Sequence, residues 1–132
     1  MKIKEKFAKV VCIGALLTAI GATNVFAVSY SGYTLSRAQG NNYTTQHSKT
    51  TTDNYIKNKV TALSNTSTAT FWAADSSKTQ ISNDYDQKVG SKATIKFTKS
   101  GYNKKGKEIM LGMENANWSL KNAFVSGNVD FR

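Results

Sequence analysis

Residues 108–131 read EIMLGMENANWSLKNAFVSGNVDF, and this stretch decides the fold. Ala123, Val125, Gly127, Val129 and Phe131 alternate with Phe124, Ser126, Asn128 and Asp130. A period of two, with one small or apolar face and one mostly polar face, is the pattern of a half-buried strand. Just upstream, Ile109, Leu111 and Met113 share one side while Met110, Gly112 and Glu114 share the other. Each run presents an apolar face, and the rest of the chain must supply surfaces to cover them.

Working outward, Lys92 to Thr98 is a strand with Ala93, Ile95 and Phe97 on one side and Lys92, Thr94, Lys96 and Thr98 on the other. Tyr55 to Ser64 places Ile56, Val60 and Ala62 on one face and Tyr55, Thr61 and Leu63 on the other. Thr68 to Ala74 sets Ala69, Phe71 and Ala73 against Thr70, Trp72 and Ala74. Asn65-Thr66-Ser67 is a polar turn between these two runs, so a hairpin is the simplest reading. Ser100 to Lys107, with Gly101 and Gly106, reads as a longer hairpin loop. Asn115 to Lys121 links the last two strands, with Trp118 and Leu120 expected to fold back on the core. In Ser29 to Arg37, Tyr33 and Leu35 share a face, as in a short strand. Ser36 to Asn54 contains no Val, Ile, Leu, Met or Phe. Its threonines favour strand, and it is expected to be an edge strand or a mobile arm that buries little. Gln80 to Val89 spaces Ile81, Tyr85 and Val89 by four, but Ser82, Asn83 and Asp84 favour loop. The whole predicts an all-β protein, a small antiparallel β-sandwich of about six strands, forming one domain over 28–132. With no proline in the chain, lysines on strand 92–98 must discourage edge pairing.

The first 27 residues read differently. Lys2, Lys4, Lys6 and Lys9 precede an apolar run from Val10 to Ile20, and Val25-Phe26-Ala27 offers small residues at the positions a signal peptidase reads. This is the layout of a secretory signal cleaved after Ala27, and the run is shorter than the ~20 residues of a membrane span. The expected localisation is extracellular. The one cysteine, Cys12, would leave with the signal. A disulfide scaffold, a cysteine-ligated metal and a cysteine nucleophile are then excluded.

The chain carries a formal charge of +10, of which the signal holds +3, leaving +7 on residues 28–132. Such an excess draws a protein to anionic surfaces, or simply keeps it soluble. Lys92, Lys96, Lys99, Lys104, Lys105 and Lys107 are concentrated enough to form an anion-binding patch. Beyond the signal the arginines are Arg37 and Arg132 alone, and Tyr102 is the one aromatic in the lysine-rich loop. That composition suits a diffuse anionic polymer or membrane surface better than sequence-specific nucleic acid.

Reactive chemistry finds little support. His47 is the single histidine and has no nucleophile motif near it. The carboxylates show no paired spacing of the glycosidase kind. Asn83-Asp84-Tyr85-Asp86 lacks the glycine and closing glutamate of a calcium loop, and reads as turn residues capping their own backbone. The expectation is no enzyme, no metal and no cofactor. Trp72 and Trp118 are candidates for stacking on sugar rings, with a second layer of core as the simpler use for Trp72.

Ser29-Tyr30-Ser31-Gly32-Tyr33, the Lys/Thr-rich body, Gly112-Met113-Glu114-Asn115 and Ser126 to Phe131 together resemble a family of small exported Bacillota (Gram-positive) proteins of unassigned function. More distantly, the architecture is similar to lactococcin-972-type bacteriocins, also short, exported and disulfide-free β-sandwiches. The resemblance implies an envelope-directed, antagonistic role at most. Three expectations follow: a non-enzymatic envelope protein acting through its lysines, a bacteriocin-like toxin, or a carbohydrate- or cell-wall-binding module.

Overall fold

A computed structural model of the chain describes residues 27–132. The expected signal peptide therefore lies outside the described residues, except that Ala27 opens the first strand. The strands are β1 (Ala27–Leu35), β2 (Asn42–Tyr43), β3 (His47–Ser48), β4 (Tyr55–Ser64), β5 (Ala69–Asp75), β6 (Tyr85–Gln87), β7 (Lys92–Lys96), β8 (Glu108–Asn115) and β9 (Ala123–Asp130). They form two sheets, β1-β9-β4-β7 and β2-β8-β5-β6, with β3 also paired to β8. Every pairing is antiparallel. The protein is a small all-β sandwich. The strands beyond the expected six or so are the short β2, β3 and β6 of two or three residues, which alternation cannot reveal at that length.

The two runs of residues 108–131 become the inner strands of opposite sheets. β9 lies between β1 and β4, and β8 lies between β5 and the β2/β3 edge. Their apolar faces meet in one core. Val125, Val129 and Phe131 join Tyr30, Leu35, Ile56, Val60, Ile95 and Phe97 from the first sheet and its margin. Ile109, Leu111 and Met113 join Phe71, Ala73 and Ile81 on the second side. Fully burying each large apolar side chain contributes about 1.5–3 kcal/mol, which makes this layer the main stabiliser.

Two hairpin readings are corrected. β4 belongs to the first sheet and β5 to the second, so the turn 65–67 switches sheets instead of pairing its flanking strands. The same holds for β7 and β8 across the loop 100–107. β5–β6 is the pair of consecutive strands that does form a ladder, Ala69 opposite Gln87 and Phe71 opposite Tyr85. Both hairpin readings failed because a polar turn satisfies its own backbone equally well inside a sheet or between two.

Bulges reset the alternation. The register shifts between Tyr30 and Tyr33 in β1 and between Val60 and Ala62 in β4. An extra residue flips the side chains that follow. Leu35 is therefore buried on the same face as Tyr30, Leu63 packs on the core, and Ala62 is exposed. Ala62 therefore parts from Ile56 and Val60, with which simple alternation groups it. Asn58 takes the place between Ile56 and Val60, buried at 2% exposure. It is satisfied: the Tyr30 hydroxyl donates to its Oδ1 at 2.8 Å, and its Nδ2 donates to Gln87 Oε1 at 2.9 Å. Burial raises the pKa of the Tyr30 hydroxyl, against the effect of its bond to Asn58.

Segment 36–54 forms the β2/β3 edge and buries more than expected. Thr44 and Lys49 are buried, Lys49 at 2% exposure. The Lys49 ammonium donates to the carbonyl oxygens of Tyr55, Phe131 and Arg132 and lies 5.3 Å from the centre of the Phe97 ring. Burial lowers its pKa, an effect partly offset by Asp53 and Asp130. A lysine replaces the apolar anchor that this segment lacks: its stem fills space and its head finds carbonyls. Trp118 and Leu120, expected on the core, are instead 64% and 70% exposed.

Candidate functional site

Alternation along β4 and β7 buries Ile56, Asn58, Val60 and Ile95. The same alternation turns Lys57, Lys59, Lys92 and Lys96 outward, all exposed. Register then brings them together. Lys59 lies directly opposite Lys92, Lys57 opposite Thr94, and Tyr55 opposite Lys96. On its other side β4 meets β9, with Lys57 opposite Asp130 and Lys59 opposite Asn128. Directly opposed side chains stand ~5 Å apart and alternate residues ~7 Å along a strand, so four ammonium groups share a patch of roughly 5 by 13 Å. Lys57, Lys59, Lys92, Asn128 and Asp130 line a shallow concavity of about 510 Å³ on this face.

Asp130, opposite Lys57, is the one carboxylate on this face, and none of the four lysines makes an ion pair among the described residues. The ion pairs among the described residues both belong to Arg132, 3.1 Å to Asp130 and 3.4 Å to Asp53. Asp130 is thus already engaged, its Oδ1 also accepting the Arg132 N–H. Like charges placed directly opposite in an antiparallel ladder destabilise it. The Lys59–Lys92 pair is a cost that the fold carries, and β7 is an edge strand where such charges also block pairing with another chain.

The six lysines singled out from sequence are divided by the structure. Lys92 and Lys96 are on this face. Lys99, Lys104, Lys105 and Lys107 lie on the connection that crosses to the second sheet. There the Lys107 ammonium sits 5.1 Å from the Tyr102 ring centre, and the Tyr102 hydroxyl donates to Asp75 at 2.9 Å. Burial pushes the Asp75 carboxyl up, but the Thr79 and Ser77 N–H groups, the Tyr102 hydroxyl and Lys107 hold it below the ordinary carboxylate range. This cluster ties down a loop. Lys57 and Lys59 were missed by sequence reading. Their alternation was legible, but their partners are about 35 residues away in sequence, and only register joins them.

The opposite outer face differs in sign. Glu114 and Asp86 flank Thr70 across β8-β5-β6, and Thr70 donates to Asp86 at 2.6 Å. Burial, then Asp84 and Asp86, raise the Glu114 pKa. The folded state therefore binds this proton more tightly than the unfolded one. That contribution is full below the unfolded pKa and is lost as pH rises through the folded value. Glu114→Gln is expected to raise the melting temperature at pH 7 by roughly 1–3 °C, with the gap closing near pH 3.5. Thermal melts at both pH values check this.

Trp72 is on the same outer face but is only 4% exposed. It lies opposite Gly112, with Tyr43 edge-on at 6.0 Å and Met110 and Ala74 beside it. It forms a second layer of core and presents no open stacking surface; of the two tryptophans, Trp118 alone is exposed. His47 stacks on Phe131 at 4.7 Å and contacts the Thr45 hydroxyl. Among the described residues no group of His, Cys, Asp and Glu has the arrangement to hold a metal. No protein-family model and no curated protein matches this sequence.

Proposed function

We propose that this is an exported, non-enzymatic β-sandwich protein that binds an anionic polymer of the bacterial cell envelope through the outer face of β4 and β7. The observation that carries the reading is the directly opposed Lys59–Lys92 pair, flanked by Lys57 and Lys96 and without a described carboxylate partner. A polyanion laid across the strands relieves the repulsion that the fold otherwise bears. Lysines present point charges without the bidentate reach of arginine, which suits repeated phosphate groups of a flexible polymer. Export rests on the N-terminal pattern, and the envelope as destination on the resemblance to small exported Bacillota proteins.

The test is a pull-down of the protein on purified cell wall at rising salt. Retention at low ionic strength and release as the Debye length falls from ~30 Å at 0.01 M to ~3 Å at 1 M is the expected result. Absence of retention at low salt overturns the reading.

A further inference from the structure

We propose that the end of the sandwich formed by the β8–β9 connection is a docking tip that inserts Trp118 and Leu120 into the surface of an anionic phospholipid bilayer. This site is separate from the lysine face. The lysines sit near the start of β4, whereas this tip adjoins its end, where Ser64 lies opposite Phe124.

Three observations carry it. First, three of the four exposed large apolar side chains among the described residues lie here, the fourth being Val89 on the β6–β7 connection. Trp118 is 64% exposed, Leu120 70% and Phe124 39%, all within the last connection and the start of β9. Second, the connection is braced from both sides. The Ala38 N–H donates to the Ser119 carbonyl at 2.7 Å and the Arg37 N–H to Asn122 Oδ1 at 3.0 Å. The Asn65 amide donates to the Asn122 carbonyl at 3.0 Å, and the Asn117 amide to the Thr66 hydroxyl at 3.1 Å. A loop fixed by neighbouring turns, yet holding a tryptophan and a leucine in water, is organised to bury them against something else. Third, the charge is complementary to an anionic surface. Segments 36–41, 62–68 and 115–124, which build this end, contain no Asp or Glu, and Arg37 and Lys121 are exposed there; the nearest carboxylates, Glu114 and Asp86, flank Thr70 on the adjoining outer face of the second sheet. Tryptophan with adjacent cations is the chemistry of a bilayer interface, where the ring sits at headgroup depth and the charges meet lipid phosphates. No helix among the described residues is long and apolar enough to cross a membrane.

The test uses the full chain with vesicles of phosphatidylglycerol brominated in the acyl chains, reading tryptophan emission. Trp72 is buried, so quenching reports Trp118. The expected result is strong quenching by brominated phosphatidylglycerol and at least fivefold less by brominated phosphatidylcholine. Quenching should be lost in Trp118→Phe and reduced severalfold in Leu120→Ser/Lys121→Gln, with circular dichroism unchanged. The apolar run Val10–Ile20 is common to all of these proteins, so it cannot produce the difference between them. Absence of quenching overturns the proposal, as does quenching that persists in Trp118→Phe or is equal for the two lipids. A variant with Lys57, Lys59, Lys92 and Lys96 changed to Gln should retain quenching while losing cell-wall retention. Quenching lost in that variant but kept in Leu120→Ser/Lys121→Gln would assign the contact to the sheet face and overturn the tip.

Discussion

Replacing Lys57, Lys59, Lys92 and Lys96 together with Gln is expected to weaken binding to anionic wall polymer by roughly a hundredfold to a thousandfold, at a contribution of about 1 kcal/mol per lysine near an anionic surface. The same variant should melt at or slightly above the wild-type temperature. All four side chains are exposed and make no ion pair among the described residues, so no core contact is lost; the one contact given up is that of the Lys57 ammonium, 5.8 Å from the Tyr55 ring centre at the surface. Removing the Lys59–Lys92 repulsion restores a few tenths of a kcal/mol to the ladder. This combination separates a binding face from a merely solvated one. If the lysines serve only solubility, wall retention will be unchanged while stability still rises. The singles should follow position: Lys59→Gln and Lys92→Gln relieve the directly opposed pair, whereas Lys96→Gln, opposite Tyr55, gains nothing in stability. Titration of each variant against purified wall polymer at fixed low salt, with thermal melts alongside, checks the series.

Gly127→Ala is expected to be strongly destabilising, costing about 3 kcal/mol, at the upper end of what overpacking a core costs. Gly127 sits in the middle of β9 with Tyr30 on one side and Val60 on the other. A Cβ there would lie 2.3 Å from the Lys59 carbonyl oxygen and 2.5 Å from the Tyr30 hydroxyl oxygen. The carbonyl is backbone at the bulge of β4 and cannot withdraw without shifting the strand. The Tyr30 ring is held by the hydrogen bond from its hydroxyl to Asn58, and through Asn58 to Gln87. Displacing it would leave a buried network partly unsatisfied as well as strained. Gly112→Ala repeats the conflict on the other sheet, with its Cβ 2.2 Å from the Trp72 indole nitrogen. There the ring faces outward, so expulsion of Trp72 into solvent is the expected outcome, with a smaller loss and a red-shifted emission. Both glycines lie directly opposite an aromatic residue, one pair per sheet, and each ring covers the glycine it faces. Denaturant unfolding followed by tryptophan fluorescence distinguishes the two cases.

Much of the local architecture was readable in advance. Val125, Val129, Ile109, Leu111, Ile95 and Phe97 are buried where their alternation placed them, because a pleated strand covered on one face writes that period directly into the chain. The errors share a cause. Leu63 and Ala62 exchanged faces because a bulge is a response to the neighbouring strand, and nothing in β4 alone announces it. Lys49 became a core residue because carbonyls from Tyr55, Phe131 and Arg132 converge on its ammonium, and those lie up to 83 residues away in sequence. Trp118 and Leu120 were placed inside on hydrophobicity, yet the bracing of their loop by Arg37, Ala38 and Asn65 keeps them out.

Composition and periodicity by themselves determined an all-β chain, which runs become strands, and that β8 and β9 each offer a face to a common core. Side-chain alternation is a property of a single strand and its burial, so one dimension suffices to encode it. The tertiary structure decided which sheet each strand joins, and hence that Lys57 and Lys59 stand beside Lys92 and Lys96 instead of Lys104 to Lys107. Sheet membership and register depend on pairings between residues far apart in the chain, and a polar turn leaves both choices open.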